Sequence, residues 1–212
     1  MASVKRPYDN SRRQAQSRAT YLRIVATAKD LFIRNGYPAT TLEAVAEAAD
    51  TSLPTLYRLF ASKRALLKAV LDTSFGGDDQ PIAFGDRSDV MAARYQPDPE
   101  SLIRAFARIA RDFMARSSAI MHVLSTAAQV DPEIAELMEE IRRQRREGQS
   151  RIVAALSDLA ALDPNLDRSE AVDIIYVALS PDVHRMLTVE RDWTADQYEQ
   201  WIIRSLKMLV RQ

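Results

Sequence analysis

Cysteine is absent from this chain of 212 residues. That excludes a disulfide framework and any thiolate metal site, and it suits a reducing compartment. Glycine is scarce, at 5 residues, and no glycine-rich phosphate loop is present. Histidine occurs only at His122 and His184, far apart in sequence. No His, Asp or Glu cluster has metal-ligand spacing, so no metal and no cofactor is expected. No serine sits in a glycine-flanked nucleophile turn, and no acid/base constellation supports an enzyme. No apolar run reaches the roughly 18 residues of a membrane span. The start, Met1-Ala2-Ser3-Val4-Lys5-Arg6, has no apolar stretch behind it, unlike a signal peptide. A cytoplasmic protein without a membrane partner is the expectation.

Apolar residues make up 47% of the chain, enough for a folded core. The formal net charge is zero, but it is unevenly spread. Residues 1–70 hold 12 basic and 5 acidic residues, and residues 71–212 hold 17 basic and 24 acidic ones. A basic end on an acidic body suits contact between that end and a polyanion, although charge alone favours a solvated face.

Helical periodicity dominates and strand-like alternation is scarce, so an all-α fold of about nine helices is predicted. Residues 1–16 read as a flexible basic arm. Residues 17–75 read as a first domain. Its opening helix runs to about Asn35 with Ile24, Val25, Ala28, Leu31 and Phe32 on one stripe. Gly36 suits a left-handed helix end. Thr40-x-x-Glu43 reads as a capping box, and Ser52 as the cap of a further short helix. Ser62 opens a fourth helix. Residues 76–97 show no clear period and read as a linker.

Residues 98–212 read as a second, helical domain. Helices are expected from Asp98-Pro99-Glu100, from about Ser118 to Gln129, from Asp131-Pro132-Glu133 to about Leu159, from Asp167, from Ser180-Pro181, and from Thr194-x-x-Gln197. The basic run Arg142-Arg143-x-Arg145-Arg146 is flanked by Glu139, Glu140 and Glu147. It reads as a salt-bridged solvated face.

The stretch from Ile24 to Leu67 has the order long helix, short helix, tight turn, short helix, helix. That is helix-turn-helix organisation, with the Ser52–Leu59 helix as the one for the major groove. Leu53 and Pro54, at its start, can touch a thymine methyl. Thr41, Thr55 and Tyr57 carry hydroxyls for phosphate oxygens. Arg58 can read a guanine edge or sit on a phosphate, and Lys63 with the fourth helix's first N–H groups can form an anion site. In the second domain Phe106, Phe113, Met121, Met138 and Tyr176 are candidates for lining an apolar ligand cavity. Each of them also fits plain core packing.

The run Ala28-x-x-Leu31-Phe32-x-x-x-Gly36-Tyr37-x-x-Thr40-Thr41-x-x-x-Val45-Ala46-x-x-Ala49, continued by Ser52-x-Pro54-Thr55-Leu56-Tyr57-Arg58-x-Phe60-x-Ser62-Lys63-x-x-Leu66-Leu67, resembles the DNA-binding domain of the tetracycline-repressor (TetR) family. The resemblance implies that Thr41, Thr55, Tyr57 and Lys63 hold phosphates. It implies that Leu53, Pro54 and sometimes Arg58 or Leu42 face bases. It further implies a C-terminal helical domain that dimerises through its last long helices and encloses a small-molecule pocket. The expected partners are therefore double-stranded DNA with a near-palindromic operator, a small-molecule effector and a second copy of the chain. One departure is Asp50-Thr51 where the family usually has Gly-Val or Gly-Ile. Asp tolerates the left-handed backbone expected there better than most residues do. An alternative keeps the DNA-binding module but gives the C-terminal domain only a dimerisation or protein-contact role.

Overall fold

A computed structural model describes residues 10–211. Among them the architecture is all-helical, without a strand; one isolated bridge joins Leu162 and Val210. The chain divides into two compact units, with the boundary between Val70 and Leu71.

The first unit opens with α1, Asn10–Ala39. Of the arm expected at 1–16, residues 1–9 lie outside the described residues, while Asn10–Gln16 is helical. Residues 11–16 are exposed and carry no apolar stripe, which is why periodicity did not reveal the helix there. Gly36 interrupts α1 at φ 79°, ψ 164°, a left-handed φ that glycine adopts without a Cβ clash. The chain then turns into α2, Leu42–Ala48, and α3, Leu53–Leu59. The cap of α2 is Thr41, whose hydroxyl accepts from Ala44 N at 3.1 Å. It is not Thr40, as the capping-box pattern suggested. Thr40 is only 1% exposed, and its hydroxyl donates to Gly36 O at 2.8 Å and Leu31 O at 3.2 Å, closing the end of α1.

Between α2 and α3, Asp50 holds φ 46°, the left-handed conformation expected for it. Ser52 caps α3 by accepting from Thr55 N. α4, Lys63–Gly76, follows, and the unit boundary falls within it. Ile24, Ala28, Phe32, Val45, Leu56, Leu66 and Leu67 are fully buried. Tyr21 stacks on Phe60 with ring centroids 5.1 Å apart.

The second unit takes the end of α4, a 3₁₀ turn at Phe84–Asp86, and six helices. These are α5 Ser88–Arg94, α6 Pro99–Ala127, α7 Pro132–Asp158, α8 Arg168–Ala178, α9 Pro181–Arg185 and α10 Ala195–Lys207, with a π-helical segment at Met186–Glu190 before α10. Two expectations change. Residues 76–97 are not a plain linker: α5 lies within them and buries Val90 and Ala93. The pieces expected on either side of Ser118 form one helix, α6. Ser117 is buried there and its hydroxyl donates back to Phe113 O at 2.7 Å, so a polar residue sits inside the helix without ending it.

Proline in the first turn and an aspartate cap start α6 and α7, at Asp98-Pro99 and Asp131-Pro132. Thr194 and Gln197 form the reciprocal capping box at α10. Leu102, Ile103, Leu156, Ile175, Tyr198 and Ile202 belong to one core cluster of this unit, with side chains from α6, α7, α8 and α10.

Candidate nucleic-acid interface and candidate ligand cavity

In the first unit, α3 presents one exposed face. Pro54 and Arg58 are exposed, and Tyr57 is 48% exposed, unusual for an aromatic in so small a bundle. Leu53 and Thr55 are half-buried and Thr41 is exposed, whereas Leu42 is buried. Leu56 and Phe60 point inward and anchor the helix. The geometry thus brings Pro54, Tyr57 and Arg58 onto one exposed surface. Thr55 has a prior engagement, since its hydroxyl shares a hydrogen bond with Ser52 Oγ at 2.8 Å.

Lys63 departs from the expected anion site. Its Nζ donates to Tyr37 O at 2.9 Å, Thr40 O at 3.1 Å and Pro38 O at 3.4 Å, and lies 4.3 Å from the centroid of the Tyr37 ring. An ammonium has three donors, so these carbonyls can occupy it fully. Lys63 ties the start of α4 to the α1–α2 connection. Arg23, which sequence reasoning passed over, plays a matching part. Its Nε donates to Ala49 O at 2.8 Å, satisfying the end of α2 beside the Asp50 turn. Its partner is 26 residues away, and no local pattern announces such a contact.

The second unit contains a cavity of about 360 Å³, within the usual size range of small-molecule sites. Phe106 and Phe113 line it, as does Met114; Met121, Met138 and Tyr176 do not. Met121 is buried, and Tyr176 lies under Arg145, 4.5 Å from guanidinium carbon to ring centroid. Sequence reasoning missed Phe75 and Phe84, whose rings sit 5.3 Å and 4.6 Å from that of Phe113. Both fall near or within the segment taken as a linker.

The polar lining was missed as well. Arg94, Arg145 and Gln149 all contribute to the wall. Arg145 therefore leaves the expected solvated face, although its neighbours keep to it: Arg142 pairs with Glu139, and Arg143 lies 3.9 Å from Glu147. Burial pushes the Arg145 guanidinium below its ordinary pKa, and the nearby Tyr176 and Asp182 oppose that shift. A Cβ added at Gly148, another lining residue, meets no atom within 4 Å. Among the described residues there is no cluster of His, Asp and Glu that could hold a metal, and no helix is long and apolar enough to cross a membrane.

The first unit thus carries a solvated aromatic and arginine on the second helix of a helix-turn-helix, and the second unit, by itself, holds a cavity of small-molecule size. Residues 24–70 match the family of bacterial regulatory proteins called the tetR family. A helix-turn-helix regulator of Bacillus subtilis, YdeS, is 23% identical over 200 residues, covering 94% of this chain and 91% of YdeS. UidR of Escherichia coli is 35% identical over 58 residues, which is 27% of this chain and 30% of UidR.

Solved structures share the fold. NalD of Pseudomonas aeruginosa, the secondary repressor of the MexAB-OprM multidrug efflux pump, superposes with a TM-score of 0.69 at 17% identity, covering 92% of this chain and 98% of NalD. A transcriptional regulator from Saccharomonospora viridis in complex with choline does so with 0.66 at 16% identity, covering 91% and 98%. Residues 24–70 thus carry the DNA-binding domain of the tetR family of bacterial regulatory proteins, and the chain as a whole shares the fold of solved TetR-family regulators.

Proposed function

We propose that the chain is a homodimeric repressor, acting in the cytoplasm, whose hold on a near-palindromic operator is changed by a small molecule bound in the second unit. The carrying observation is the cavity itself, which opens into the helical unit and is walled by Phe75, Phe84, Phe106 and Phe113. A body serving dimerisation alone has no need of such a space, so the cavity favours this reading over an effector-independent regulator.

Pro54 and Leu53 then face bases, Arg58 reads a base edge, and Thr41 and Tyr57 hold phosphates. A second copy would set two α3 helices about 34–36 Å apart, one turn of DNA. Val177 on α8 and Val189 after α9 are more than 60% exposed, which suits a face covered by that copy. A ligand can alter DNA affinity only by binding one arrangement of the helices better than the other.

The test is a gel-shift titration of the purified chain against the DNA flanking its own gene, with and without candidate ligands. Protection of two half-sites related by a dyad is expected. Absence of binding at any such DNA overturns the reading.

A further inference from the structure

The lining chemistry narrows what the cavity can hold; the argument rests on the reading that an effector binds there. The aromatic wall is interrupted by three arginines, of which Arg151 is exposed and Arg94 and Arg145 are half-buried. Arg94 gives Nη2 to Gly85 O at 2.7 Å, and its Nη1 is 3.3 Å from Met91 Sδ. Its Nε is buried without a hydrogen-bond partner. Arg145 donates to Leu179 O at 3.1 Å and Tyr176 O at 3.5 Å. Both groups are held by neutral carbonyls rather than ion-paired to a carboxylate.

The acidic residues of the lining, Asp86 and Glu147, are exposed. Gln149 is 5% exposed, and its Oε1 is buried with no partner. The cavity therefore combines π surface, half-buried positive charge, an unanswered N–H donor and an unanswered acceptor. Such groups are stabilised by an occupant that supplies the complementary atoms.

We propose that the cavity binds an aryl carboxylate of roughly phenylpropionate size that also carries a hydroxyl or N–H group. The ring lies against the phenylalanines, the carboxylate accepts from Arg94 and Arg145, and the hydroxyl or N–H donates to Gln149 Oε1. A ligand whose only charge is positive finds no buried carboxylate to meet it.

The experiment is isothermal titration calorimetry on the full chain without DNA. The probes are 3-(4-hydroxyphenyl)propionate, its methyl ester, 3-phenylpropionate and tyramine. The hydroxy acid should bind about tenfold or more tighter than the ester and than phenylpropionate, and tyramine should not bind. Arg94→Gln should erase the difference between acid and ester. Gln149→Leu should erase the difference made by the hydroxyl, with thermal unfolding checking that each variant is folded. The ligand comparison on the parent protein stands even if a variant fails to fold. Tyramine binding as tightly as the hydroxy acid, an ester equal to the acid, or no binding by any probe overturns the proposal.

Operator release is scored separately on the same samples. Binding in the expected order with unchanged DNA affinity overturns the effector reading and supports the chemical assignment. Release by tyramine, with no binding of the acids, does the reverse.

Discussion

Lys63 and Tyr57 separate stability from recognition. Lys63 is engaged with the carbonyls of Tyr37, Pro38 and Thr40. Its replacement by Met should cost about 1.5–3 kcal/mol, as for hydrogen bonds made by charged groups. Tyr57→Phe removes only a solvated hydroxyl, so it should leave the melting temperature unchanged and weaken DNA binding several-fold across all sequences. Thermal unfolding and gel shifts on the two variants check both halves. At this scale, what could be read in the sequence was conformation more than partnership. The left-handed Asp50 was legible because turn chemistry is local. The role of Lys63 was not, since its acceptors lie 23 to 26 residues back along the chain. Gln149 was equally opaque, because a glutamine in a helix betrays its burial only once its neighbours are known.

Helix starts were legible where proline, aspartate and hydroxyl residues punctuate the chain, as at Asp98-Pro99, Asp131-Pro132 and Thr194. They were misread where two threonines compete: Thr41 caps α2 while Thr40 turns inward to α1. The caps carry a pH signature. Asp98 accepts from Ser101 N at 2.8 Å and Ser101 Oγ at 2.7 Å, and these bonds hold its carboxyl below the usual Asp range. A pKa lowered on folding contributes stability that is complete above the unfolded-state value, about 3.9, and is lost as pH falls through the lower folded value. Asp98→Asn should therefore flatten the acid limb of a pH-dependent melting series, relative to the parent protein. α7 offers a second test. Gly148 lies within it with open space where a Cβ would go, so Gly148→Ala should stabilise the chain by about 0.5–1 kcal/mol. Gly148→Trp should intrude on the cavity, leaving DNA binding intact but unresponsive to ligand in a gel shift.

For the whole molecule, the all-helical class was readable from periodicity, and the helix-turn-helix from the order of its elements and the residue pattern between Ala28 and Leu67, not from charge alone. The cavity was not, because its wall is assembled from α4, the Phe84 turn, α5, α6, α7 and the residue after α8. Only folding brings these segments together. The proposed dimer is testable at its exposed apolar residues. Placing aspartate at both Val177 and Val189 should yield a folded monomer by sedimentation, one that no longer binds a near-palindromic site cooperatively. The ammonium of Lys63 has a consequence for ionic strength. A cation already surrounded by backbone oxygens does not displace a condensed counterion from the duplex. Each phosphate truly neutralised contributes about 0.9 to the slope of log affinity against log salt concentration. That slope should therefore fall short, by roughly one per protomer, of the value obtained by tallying the basic side chains around the recognition helix.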